Sequence, residues 1–200
     1  EENIQQVFGT TDPDFTPTAM QKLYGLNNLG FYYVINGQTI PGFRWWEQIK
    51  RFDIADPNND SERFGYVVEI DPMNPEAPPV KRTALGRFRH ENAELTIAPD
   101  GRVVVYMGDD EMNQYVYKFV SKGKWDATTQ TGTAGTGVRE MAGLLDEGTL
   151  YVAKFEEAGK GRWLELTPGK NNIPSKQDDP VVGMDAADIC VYTRHAAKLA

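Results

Sequence analysis

The hydrophobic pattern changes character about a third of the way along the chain. From residue 64 onward, short segments rich in valine, tyrosine, phenylalanine and threonine recur: FGYVVEIDP (64–72), VKRTALGRF (80–88), AELTIAP (93–99), RVVVYMG (102–108), YVYKFVS (115–121), GTLYVAKF (148–155) and RWLELTP (162–168). Turn residues separate them, and each is short enough to be a strand. Pro99-Asp100-Gly101 between two such segments predicts a hairpin of 91–98 with 102–109. Many short strands at close spacing indicate a sandwich, barrel or propeller. Ahead of them the pattern is helical. TPTAMQKLYGL (16–26) can begin with Thr16 as cap and Pro17 in the first turn, and end at Gly25. GFRWWEQIKRFDIADP (42–57) predicts a second helix, with Phe43, Trp46, Ile49 and Lys50 near one face. Helical spacing returns at the end, where Ile189, Tyr192, Ala196 and Leu199 form one stripe. The stretch 126–137 is polar and rich in glycine and threonine, which predicts a flexible loop.

With 200 residues the chain is long enough for one domain with a real core. Its formal net charge of −8 argues against nucleic acid or an anionic membrane as a partner, since both call for an excess of lysine and arginine. No apolar run approaches the ~20 residues of a spanning helix. One cysteine, Cys190, excludes an internal disulfide and a thiolate zinc cluster.

The chemistry concentrates at YMGDDE (106–111). Three acids in a row repel one another and persist only in water or around a cation. The expected hairpin brings its outer ends together, so Glu91 should neighbour Asp109 and Asp110. Clustered carboxylates are hard oxygen ligands suited to calcium, magnesium or ferric iron. Strand alternation sends Asp109 and Asp110 to opposite sides, so at most one faces a shared ion unless Gly108 bends the chain. Solvation of a hairpin end explains the same acids without a metal.

Other motifs carry less. DPNNDSE (56–62) starts like a calcium loop, but Ser61 stands where glycine is required and Val67 where glutamate is required. His90 and His195 lack spaced partners, and GTAGTG lacks the lysine of a phosphate-binding loop. No G-x-S-x-G is present. Trp45 and Trp46 fit core packing or stacking on a ligand. Lys118 shares a strand face with Val116 and Val120. It can snorkel, pair with Asp110 or Glu91, or meet a bound anion, the last making it a candidate substrate-binding residue.

Taken in order, RFGYVVEIDPMNPEAPPVKRTALGRFRHENAEL, DGRVVVYMGDDEMNQYVYKFVS, LLDEGTLYVAKF and GRWLEL closely resemble the PhoX-type alkaline phosphatase family, most specifically over 63–166. The resemblance implies a mainly β chain with a few helices, folded as part of a β-propeller. It implies hydrolysis of phosphate monoesters, with calcium and ferric iron held by carboxylates and one cysteine thiolate. It also implies export, already folded, to the periplasm or beyond. The glutamate of the family's His-Glu motif falls on Glu91, and an aspartate of Gly-Asp-Asp on Asp110, with Asp109 beside it as a further candidate metal ligand.

Departures from the family pattern shape a second set of expectations. The chain opens on what resembles the Glu-Glu that follows the family's ligand cysteine, and Cys190 does not match that cysteine. An arginine and a glutamate of the family motif would follow Ala200. The chain therefore reads as a single middle excerpt, 1–200, of two or three blades, inactive alone and prone to self-association through cut propeller edges. Two alternatives stand beside it: a non-catalytic calcium-binding propeller module, and a sugar-lactone hydrolase, against which the GDD and HEN wording counts.

Overall fold

The computed structural model describes residues 1–30, 32–125 and 143–200, so the loop expected at 126–137 lies outside the described residues. The chain is mainly β with a few helices. It divides into two compact units, Glu1–Gly65 and Tyr66–Ala200.

In the first unit, Phe8, Tyr24, Leu26, Trp46, Phe52 and Ile54 form the core. Helix α1 spans Ala19–Leu23. Its cap is Thr18 rather than Thr16, because Thr18 and Gln21 close a reciprocal capping box. Gly25, at φ 74°, ends it as expected. The helix expected over 42–57 is instead two short 3-10 turns, Trp45–Glu47 and Lys50–Phe52. The reason is tertiary: Asp53 bridges Gly9, with the Gly9 N–H donating to Phe52 O and the Ile54 N–H donating to Gly9 O. That bridge needs extended backbone where the helix would continue. Of the expected stripe only Trp46 is buried, and it packs so close over Gly9 that a Cβ there would lie 2.7 Å from the indole. A hairpin not expected from the hydrophobic pattern joins β1 (Tyr32–Ile35) to β2 (Gln38–Pro41). Asn36 and Gly37 make its two-residue turn with positive φ at both positions.

The second unit begins with a small pair, β3 (Val67–Glu69) and β4 (Val80–Arg82). It then builds a five-stranded antiparallel meander from β5 (Glu94–Ile97), β6 (Arg102–Gly108), β7 (Val116–Lys124), β8 (Gly148–Phe155) and β9 (Gly161–Glu165), in that order. Alternation decides the faces. Val103, Val105, Met107, Tyr117, Phe119, Leu150 and Val152 point inward to one core with Leu85, Phe88, Ile189 and Ala196. At ~1.5–3 kcal/mol for each large apolar side chain, this face carries most of the unit's hydrophobic stabilisation. Tyr106, Val116 and Phe155 are exposed on the other face. The C-terminal stripe faces the core as expected, but a break at Tyr192 (φ −110°, ψ 42°) divides it into α2 (Ala186–Val191) and α3 (Thr193–Leu199). Among the described residues no closed barrel or propeller is present.

Candidate functional site

The expected hairpin forms. Ile97 pairs with Val103 and Glu94 with Tyr106, while the Ala98 and Gly101 backbones close the Pro-Asp-Gly turn. Beyond β5 the pairing resumes at one isolated bridge, His90 opposite Asp109. The Glu91 N–H donates to Gly108 O at 3.4 Å, and the Asp110 N–H donates to Arg89 O at 3.0 Å. Residues 91 and 110 therefore flank the 90–109 pair diagonally, which in an antiparallel ladder sets Cα atoms ~7–8 Å apart on one face. Both side chains are exposed, and His90 is buried.

Asp109 turns the other way, as alternation requires. Its side chain is 0% exposed and that of Arg194, on α3, is 1% exposed. Arg194 Nε donates to Asp109 Oδ2 at 2.7 Å and Nη2 donates to Oδ1 at 2.5 Å, a two-point grip on the carboxylate. The Arg89 N–H donates to the same Oδ1 at 3.3 Å. Arg89 Nη1 pairs with Glu111 Oε2 at 2.5 Å, and Arg194 Nη1 lies 3.9 Å from that oxygen. Burial pushes the Asp109 carboxyl above its usual value, against the opposing pull of Arg194. Burial likewise lowers Arg89, with Glu111 opposing. So the three consecutive acids divide: Asp109 and Glu111 engage arginines, and Asp110 reaches solvent.

Glu91 and Asp110 are hard oxygen donors, and neither side chain has a hydrogen bond or ion pair among the described residues. In donor chemistry they fit a calcium or ferric ion. In number they do not complete a site: among the described residues no three His, Cys, Asp or Glu side chains gather to hold a metal. Lys118 sits opposite Tyr106 on β7, with Nζ 4.6 Å from the Trp163 ring centroid and 5.0 Å from that of Tyr151. Partial burial lowers its pKa. By strand rise it lies on the order of 13 Å from Asp110, along the same sheet face. Cys190, on α2, is partly buried, which raises its thiol pKa. Glu1 accepts the Gly65 N–H at 2.9 Å within the first unit.

A family model described as Alkaline phosphatase PhoX matches residues 1–200. The chain belongs to the PhoX alkaline phosphatase family. Among solved structures it is similar to PhoX of Pseudomonas fluorescens in complex with vanadate, a transition state analogue, at 39% identity and a TM-score of 0.83. That alignment covers 100% of this chain and 32% of the other, so the chain spans about a third of the relative's length. No curated protein matches it.

The hairpin and its acids are legible in the hydrophobic pattern, but the arginines that sort them are not. Arg194 is 85 residues from Asp109, and nothing in TRHAAKL distinguishes it from a solvated helix arginine. The one available signal was its place near an otherwise apolar stripe. Arg89, two residues before Glu91, was legible only as a charge.

Proposed function

We propose that this chain forms part of a longer phosphate-monoester hydrolase of the PhoX type, in which Glu91 and Asp110 ligate calcium or ferric iron. The observation that carries the reading is the agreement between family and geometry. The two family-matched carboxylates share one exposed face and make no hydrogen bond or ion pair among the described residues, and the whole chain aligns with a phosphatase solved with a transition-state analogue. Cations held there would offset charge developing on phosphoryl oxygens. The protein's own contribution is to fix two oxygen donors on a hairpin end with their neighbours cross-linked behind them. Asp109 can join Glu91 and Asp110 as a ligand only if its bonds to Arg194 open. Lys118 would add an anion-attracting charge farther along the same face.

The meander order of β5–β9 supports reading the second unit as a portion of a propeller. Export to the periplasm follows from the family expectation. Two donors do not complete a cation site, so the 200-residue chain alone should release no phosphate. The test is p-nitrophenyl phosphate hydrolysis by the full-length protein, stripped with a calcium chelator and then resupplied. Turnover lost on stripping and restored by calcium supports the reading. A folded, calcium-loaded protein without turnover would favour a non-catalytic calcium-binding module.

A further inference from the structure

The acids beside the proposed ligands are held by a helix from the far end of the second unit. We propose that Arg194 is a positioning residue. Acting through Asp109, it fixes the hairpin end so that Glu91 and Asp110 present their carboxylates on one side. This rests on the reading of Glu91 and Asp110 as cation ligands.

Four observations lead there. The Arg194 guanidinium grips both Asp109 oxygens, at 2.7 and 2.5 Å, and a planar two-point contact sets the carboxylate's orientation as well as its place. Asp109 is the strand partner of His90, so holding it holds both strands between Glu91 and Asp110. The bonds that place those two residues, Glu91 N–H to Gly108 O and Asp110 N–H to Arg89 O, lie on either side of that pair. Finally, the preceding helix residue grips the same segment: the Arg87 N–H donates to Thr193 Oγ1 at 2.9 Å, and that hydroxyl donates to Ile189 O at 2.8 Å. Two adjacent α3 residues thus hold Asp109 on one side of the bridge and Arg87, three residues before His90, on the other, and the rest of the ladder here is a single bridge. Without the helix, alternation alone would have to hold the register over a ladder of that length.

Arg194→Lys is the informative variant, because it keeps the charge and loses the two-point geometry. The first measurement is amide hydrogen exchange of Glu91 and Asp110 in the metal-free full-length protein, referenced to Phe119 in the sheet core. Exchange at Glu91 and Asp110 should rise at least ~10-fold in the variant relative to Phe119; equal changes at all three would overturn the proposal, because they report only global stability. The second measurement is calcium titration of the full-length protein by calorimetry, where Arg194→Lys, one residue removed from the proposed ligands, should weaken affinity ~10-fold, the low end for outer partners of metal ligands. Unchanged affinity for folded Arg194→Lys overturns the proposal, whereas Glu91→Gln or Asp110→Asn without effect on calcium overturns the ligand reading instead. The exchange result judges the strut in either case. Asp109→Asn leaves Arg194 one oxygen acceptor but turns an NH2 donor toward its other N–H, so it also breaks the two-point contact and should raise exchange at Glu91 and Asp110 relative to Phe119; the absence of such a rise would overturn the proposal.

Discussion

Replacing Arg194 with methionine keeps most of the side chain's volume and removes its charge. Asp109, with no exposed side-chain surface, then keeps the Arg89 N–H at 3.3 Å but loses both guanidinium bonds. At about 3 Å and an effective dielectric near 20 the attraction between the two charges is ~5 kcal/mol, against the cost of burying both. Breaking such a pair from one side costs ~3–5 kcal/mol. For a chain of this length that is roughly a 10 °C drop in melting midpoint. Protonation of Asp109 limits the damage, and it sets the sign of the pH dependence. Burial already raises this carboxyl, and losing the arginine raises it further. A group whose folded pKa lies above its unfolded value favours folding most at low pH, and that advantage is lost as pH rises through the folded pKa. The penalty of Arg194→Met should therefore be smaller at pH 5 than at pH 8. Urea unfolding at both pH values measures it, beside Asp109→Leu and the double variant. The double variant should recover at least ~2 kcal/mol of the summed single losses, because no charge is left buried alone. A loss under ~1 kcal/mol for Arg194→Met, or strictly additive losses, would refute the account of this pair.

Other consequences can be checked separately. Gly148→Ala should destabilise by roughly 1–3 kcal/mol in urea unfolding, because a Cβ there would lie 2.4 Å from the Phe119 ring and from Val120 O. Lys118→Ala removes the ammonium lying over Trp163 and Tyr151 and should cost ~0.5–2 kcal/mol. If the full-length protein hydrolyses phosphate monoesters as proposed and Lys118 attracts the substrate, its loss raises KM and leaves kcat unchanged. Asp185 caps α2 and pairs with Lys176, first through that side-chain bond, which lowers its carboxyl to about 2. A depressed folded pKa stabilises above the unfolded value of 3.8 and is lost as pH falls through about 2. The side-chain carboxyl carbon resonance of Asp185 should therefore shift with a midpoint near 2, and a midpoint near 4 would refute its pairing with Lys176 and the cap.

The sequence showed the sheet more clearly than the site. Alternation in β6 and β7 separates inward Val103, Val105 and Phe119 from outward Tyr106 and Lys118 because the pleat has period two. Pro99-Asp100-Gly101 fixes the turn locally. The failures lie where distant contacts overrode local preference. The helix expected over 42–57 gave way to a bridge with Gly9, more than 40 residues earlier. Asn36-Gly37 was a usable hairpin signal, but its flanking strands are exposed and their apolar residues show no buried face. At the site, alternation correctly divided Asp109 from Asp110. What filled the inner side could not be read, because an ion pair between α3 and Asp109, just past β6, depends on how the C-terminal helices lie against the core.

The most direct test of the central claim compares Glu91→Gln and Asp110→Asn with Glu94→Gln in the full-length protein. Glu94 is another exposed acid of the same hairpin, at the start of β5. Stripped of metal, all three should unfold within about 0.5 kcal/mol of the unaltered metal-free protein, as exposed substitutions do. The account predicts that p-nitrophenyl phosphate turnover falls ~100-fold or more for Glu91→Gln and Asp110→Asn and is unchanged for Glu94→Gln. Full activity in Asp110→Asn, or equal losses in all three, would contradict it.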